Sequence, residues 1–123
     1  MPNLEECRVL IVEDEILMAI LHEDVLRDVG CRHLAVAASV DEAVDKVRAW
    51  QPHAAILDLN LQGEKSFPVA DALDAAGVPF VIVSGHNRSI LPAHHAGRPF
   101  LDKPYPPQLL LAALRQVLDN PDC

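Results

Sequence analysis

The sequence predicts an α/β domain built on one parallel sheet with helices on both faces. Short apolar runs alternate with longer segments of helical periodicity, an alternation that implies right-handed crossovers and a parallel sheet. The runs are almost continuously aliphatic, as in Arg8-Val9-Leu10-Ile11-Val12 and Phe80-Val81-Ile82-Val83, the pattern of strands buried on both faces. Polar residues then gather where the runs end: Glu13-Asp14, Asp58, Ser84-Gly85 and Lys103-Pro104. In an open parallel sheet those carboxyl ends converge on one crevice, where such folds bind ligands.

The elements follow in order. Arg8–Val12 is the first strand, and Glu15 to Val29 has helical spacing with Met18, Leu21, Val25 and Val29 on one face. Gly30 supplies the stop. His33 to Ala38 is a weaker second strand. Asp41 to Trp50 is a helix presenting Ala43, Val44 and Val47, capped by Ser39 or Asp41 and ended before Pro52. Ala54-Ala55-Ile56-Leu57 is the third strand and delivers Asp58 at its tip. A loop containing Gly63 leads to a helix around Pro68 to Ala76, closed by Gly77. Phe80 to Val83 is the fourth strand and Pro99-Phe100-Leu101 a short fifth. Between them, His86 to Arg98 should hold a fourth helix, short or partly loop because Pro92 interrupts it. Pro107 to Leu118 is the terminal helix, with proline in its first turn. Five strands alternating with five helices give a doubly wound (βα)5 sheet, for which the flavodoxin-like order 2-1-3-4-5 is expected. The whole chain, 1–123, reads as one domain with no output domain.

Composition narrows the function classes. A length of 123 residues suits one domain with a real core, and half the residues are hydrophobic while aromatics are few. A net charge of −8 leaves no basic stripe for nucleic acid. Cys7, Cys31 and Cys123 are odd in number and scattered, so buried or incidental thiols of a reducing cytosol are expected rather than a disulfide framework. Neither a membrane span nor a secretory leader is evident, so a cytoplasmic location is expected.

An isolated aspartate at a strand end would read as a turn cap. Asp58 reads differently because Glu13 and Asp14 end a neighbouring strand in the same way. Three carboxylates crowded together raise one another's pKa unless a cation compensates. Lys103 supplies one positive charge, leaving about −2, and the hard oxygen set suits a divalent ion such as Mg²⁺ or Mn²⁺. A carboxylate beside such an ion can attack phosphorus, with the Lys103 ammonium and Ser84 hydroxyl stabilising the equatorial oxygens. His86, His94 and His95 lack Cys or carboxylate partners at ligand spacing and read as solvated surface.

In this order and at these separations, the acid pair, Asp58, Ser84 and Lys103-Pro104 resemble the receiver domain of bacterial two-component response regulators, over the whole chain. The resemblance implies that Asp58 is the phosphoacceptor and that Glu13 and Asp14 sit beside the metal. It also implies that Asn60, two residues after the acceptor, lends a backbone carbonyl to the metal. Ser84 matches the hydroxyl position, and the Lys103-Pro104 peptide is typically cis in the family. Phe100, three residues before Lys103, matches a switching aromatic. Asp58-Leu59-Asn60-Leu61-Gln62-Gly63-Glu64 and Pro68-Val69-Ala70-Asp71-Ala72-Leu73 look like small stand-alone receivers common in alphaproteobacteria.

The function this implies is a signalling switch that accepts phosphate from a histidine kinase or histidine phosphotransfer protein. It would act through a downstream protein partner and not as a turnover enzyme. An aspartate-nucleophile phosphatase would want a second carboxylate where Asn60 stands. A degenerate, phosphorylation-independent receiver would not need the acid pair, acceptor, hydroxyl and lysine together. The expected output face combines residues 86–98, the Phe100 strand and the last helix. There Leu110, Ala113, Leu114 and Val117 should face the sheet and Leu109 and Leu111 flank it, offering a partner or homodimer surface. Ile16 and Ile20 offer a rival surface on the first helix.

Overall fold

The structure, a computed structural model, describes residues 5–85, 99–103 and 105–118. The expected fourth helix, the histidines at 86, 94 and 95, and Pro104 with its peptide bond lie outside the described residues. The elements are β1 (Arg8–Val12), α1 (Ile16–Asp28), β2 (His33–Ala37), α2 (Val40–Trp50), β3 (Ala54–Asp58), β4 (Asn60–Leu61), β5 (Glu64–Lys65), α3 (Phe67–Ala75), β6 (Phe80–Ser84), β7 (Phe100–Asp102) and α4 (Pro107–Val117).

Among the described residues, five parallel strands form one sheet in the order β2-β1-β3-β6-β7, which is the expected 2-1-3-4-5. Because strand side chains alternate, each central strand feeds two cores. Leu10, Val12, Ala55, Leu57, Phe80 and Ile82 pack against Val40, Ala43 and Val47 of α2 and Val69, Ala70 and Leu73 of α3. Val9, Ile11, Ala54, Ile56, Val81 and Val83 pack on the other side with Leu26 of α1 and Leu110, Ala113 and Leu114 of α4. Every residue of β3 and β6 is buried, which explains why their sequences are continuous rather than alternating.

Local signals act where the chain reverses. Ser39 caps α2 by accepting the Glu42 backbone N–H at 3.2 Å, while Glu42 reaches back to the Ala38 N–H at 2.7 Å. Gly30 ends α1 at φ +94°, a conformation that penalises any Cβ.

Three expectations are corrected. The buried stripe of α1 is Ala19, His22 and Leu26, one residue round from the expected one, and Leu21 is 55% exposed. The apolar count favours the wrong stripe because the true one contains a histidine, whose ring nitrogen is satisfied by Tyr105. The loop after Asp58 is a small hairpin, β4 pairing antiparallel with β5 around Gln62-Gly63. Both turn residues have positive φ, 53° and 79°, the geometry of a two-residue hairpin turn. Finally, Cys7 is disulfide-bonded, whereas Cys31 is a free buried thiol.

Candidate functional site

Strand register assembles the site. Val12 pairs with Leu57, so Glu13 follows β1 beside Asp58 at the tip of β3. Asp58 pairs with Val83, which sets Ser84 one step beyond on β6. Ser84 pairs with Asp102, which brings Lys103 off the end of β7. The register of these parallel strands thus delivers all four polar groups to one level of the sheet edge.

Glu13, Asp58 and Ser84 are buried, with 2%, 5% and 0% of their surfaces exposed, while Asp14 and Lys103 are half-buried. Carboxylate oxygens of Glu13, Asp14 and Asp58 lie within 4.8 Å of one another. The Lys103 ammonium donates to Asp58 Oδ2 at 2.8 Å and to Glu13 Oε2 at 3.3 Å. Its backbone N–H donates to the Ser84 carbonyl at 2.9 Å, which anchors the lysine to β6. The other Asp58 oxygen, Oδ1, accepts the Asn60 backbone N–H at 3.0 Å. Glu13 Oε1 accepts the Glu15 backbone N–H at 3.1 Å, just ahead of α1.

The electrostatics record the crowding. Burial first, and then the Asp58 charge, push the Glu13 carboxyl up to about 7. Lys103 is held above its ordinary value: burial opposes its charge, but the hydrogen bond and charge of Asp58, with Glu13 adding, outweigh it. One ammonium for three carboxylates leaves an excess of negative charge among oxygen donors. That donor set fits a hard divalent cation.

Glu13, Asp14, Asp58, Ser84 and Lys103 are all brought to this edge, and Asn60 turns its backbone onto Asp58. Phe100 is half-buried one strand away and packs against the core beneath α2 and α3. Two further residues belong to the site. Ser66, fully buried, donates its hydroxyl to the Asp58 carbonyl at 2.6 Å, and its backbone N–H donates to the Leu59 carbonyl at 2.9 Å. The chain on either side of the hairpin is thereby pinned. The Gln62 backbone N–H donates to Asp14 Oδ2 at 2.8 Å, so the hairpin tip orients the acid pair. Gln62-Gly63 supplies a turn glycine but not the Asn or Asp that marks a two-residue hairpin, and Ser66 stands two residues before Pro68, at the N-cap of α3, without a signal that ties it to Asp58.

Comparison with known proteins gives a consistent family. The response regulator receiver domain model matches residues 9–115. The solution structure of SdrG from Sphingomonas melonis Fr1 is similar at 38% identity and a TM-score of 0.80, covering 96% of this chain and 99% of that one. The BeF3-activated conformation of SdrG, from Pseudomonas melonis Fr1, matches at 37% identity and a TM-score of 0.77 over the same shares. A curated relative, the uncharacterized transcriptional regulatory protein YbdJ of Bacillus subtilis, is 29% identical over 92% of this chain. The chain spans about half, 51%, of that relative's length.

Proposed function

The chain belongs to the response regulator receiver domain family, and from that premise we propose that it is a phosphoacceptor switch that takes phosphate on Asp58. The donor would be a histidine kinase or histidine phosphotransfer protein, and the output a protein–protein contact. The observation that carries this reading is Asp58 itself: a buried carboxylate held at 2.8 Å by the Lys103 ammonium, within 4.8 Å of two more carboxylates.

In the transfer, an Asp58 oxygen attacks the phosphorus of a phosphohistidine as the P–N bond breaks. The electron pair leaves on the imidazole nitrogen, which is protonated from solvent, and an acyl phosphate remains. Glu13, Asp14 and Asp58, with the Asn60 carbonyl, would hold Mg²⁺ or Mn²⁺, which supplies positive charge to the phosphoryl oxygens when bound. Lys103 shifts from neutralising Asp58 to bridging it and the new phosphoryl group. The Ser84 hydroxyl donates to a phosphoryl oxygen, and the space it vacates admits Phe100 from its half-buried position. Backbone donation from Asn60 keeps the Asp58 carboxyl from rotating away.

The SdrG relative has a BeF3-activated conformation, so the same reagent tests this chain. With BeF3⁻ and Mg²⁺, amide NMR shifts should centre on Asp58, Ser84 and Lys103 and vanish in Asp58→Asn. Shifts that persist in Asp58→Asn would place the acceptor elsewhere.

A further inference from the structure

His22 and Tyr105 have no role in the chemistry above, yet they form a partly buried polar contact at the edge of the site. His22 sits in the middle of α1, 3% exposed, and its Nε2 shares a hydrogen bond with the Tyr105 hydroxyl. The rings are nearly parallel, at 14°, with centroids 6.1 Å apart. The other ring nitrogen, Nδ1, is buried without a partner among the described residues. Such an atom costs stability, and Met18, Leu21, Val25 and Leu110 line the same cleft, so an aliphatic residue would suit the position better on packing alone.

The geometry explains why a histidine stands there. Tyr105 is two residues beyond Lys103. On its β6 side Lys103 is tied by its backbone N–H to the Ser84 carbonyl at 2.9 Å. Tyr105 ties the same loop to α1. With both anchors in place, the ammonium can stay at 2.8 Å from Asp58 and 3.3 Å from Glu13 without wandering toward solvent.

We propose that the His22–Tyr105 pair is a positioning device for Lys103, clamping the segment after β7 against α1 so that Nζ is aimed at Asp58. This rests on the phosphoacceptor reading above. The imidazole suits the task because it is uncharged at neutral pH: burial, and next the Lys103 charge, push its pKa down to about 4 against an opposing pull from Asp58. It therefore adds no second cation to compete with the lysine. Burial also pushes the Tyr105 hydroxyl up, so it stays protonated and can hydrogen-bond the ring.

The test is a double-mutant cycle on the rate of phosphate uptake from acetyl phosphate with Mg²⁺. Tyr105→Phe keeps the ring and removes only the hydroxyl, so uptake should slow roughly fivefold while Mg²⁺ affinity stays unchanged. In the Lys103→Ala background, which retains nucleophile and metal ligands, Tyr105→Phe should produce no further slowing. His22→Gln, which can still hydrogen-bond the hydroxyl, should retain more of the rate than His22→Leu. Wild-type rates in Tyr105→Phe, or equal slowing in both backgrounds, would overturn the proposal. No uptake by the wild-type protein would instead overturn the phosphoacceptor reading beneath it.

Discussion

Burial and the Asp58 charge raise Glu13 from 4.5 to about 7, and burial lowers His22 from 6.5 to about 4. Between those values the folded state keeps a proton on Glu13 that the unfolded chain has lost, so this contribution falls as pH rises. On His22 the unfolded chain holds a proton that the folded state lacks, so this one grows as pH rises. The two slopes oppose each other between about pH 4.5 and 6.5 in the metal-free protein. Removing one exposes the other. Glu13→Gln should lose on the order of 2 kcal/mol of stability as pH falls through that window, by urea unfolding. A flat profile in Glu13→Gln would mean that His22 is not buried neutral. Lys103→Ala should leave Mg²⁺ binding intact or improved, because it removes a competing positive charge, yet uncouple phosphorylation from partner binding. Partner binding that still responds to phosphorylation as in wild type would contradict that role. At this scale the polar residues gathered at the sheet edge were legible because each follows an aliphatic run. Ser66 and His22 were not, since one buried serine and one histidine in an amphipathic helix carry no such contrast.

Elements were legible wherever burial wrote itself into composition. β1, β3 and β6 read as continuous apolar runs, and the Leu110-Ala113-Leu114 stripe of α4 is buried as its spacing implied. The face of α1 was misread, because its most apolar stripe is not its buried one. Ile16 and Leu17 are each 76% exposed, and Leu109 on α4 is 50% exposed. Leu111 is half-buried and packs against the core, so it is less free a surface than its spacing suggested. Ile16→Glu and Leu109→Glu should therefore change stability by no more than about 0.5 kcal/mol, whereas Leu111→Glu should cost clearly more. Equal costs would mean that the outer faces of α1 and α4 are covered. Just after the hairpin, Ser66→Ala should cost about 1–2 kcal/mol, since it strips a buried donor from the Asp58 carbonyl. An unperturbed urea midpoint would show that the carbonyl finds another partner.

At the scale of the molecule, two cores hold a sheet whose one edge concentrates uncompensated negative charge. No helix among the described residues is long and apolar enough to cross a membrane. A fold stabilised this way should tighten when a divalent cation enters, by about 1.4 kcal/mol at ten times its dissociation constant, and Asp14→Asn should lose most of that gain. The strand order and the convergence of the site followed from the alternation of elements, because parallel crossovers admit few topologies. The hairpin that orients Asp14 did not, because two-residue strands carry almost no hydrophobic signal. The central claim is that Asp58 accepts phosphate in a metal-dependent reaction. Intact-mass measurement after incubation with acetyl phosphate, with and without Mg²⁺, tests it most directly. A single phosphate adduct that appears only with Mg²⁺ and is absent from Asp58→Asn is the predicted result; an adduct of equal yield without the metal, or in Asp58→Asn, would contradict it.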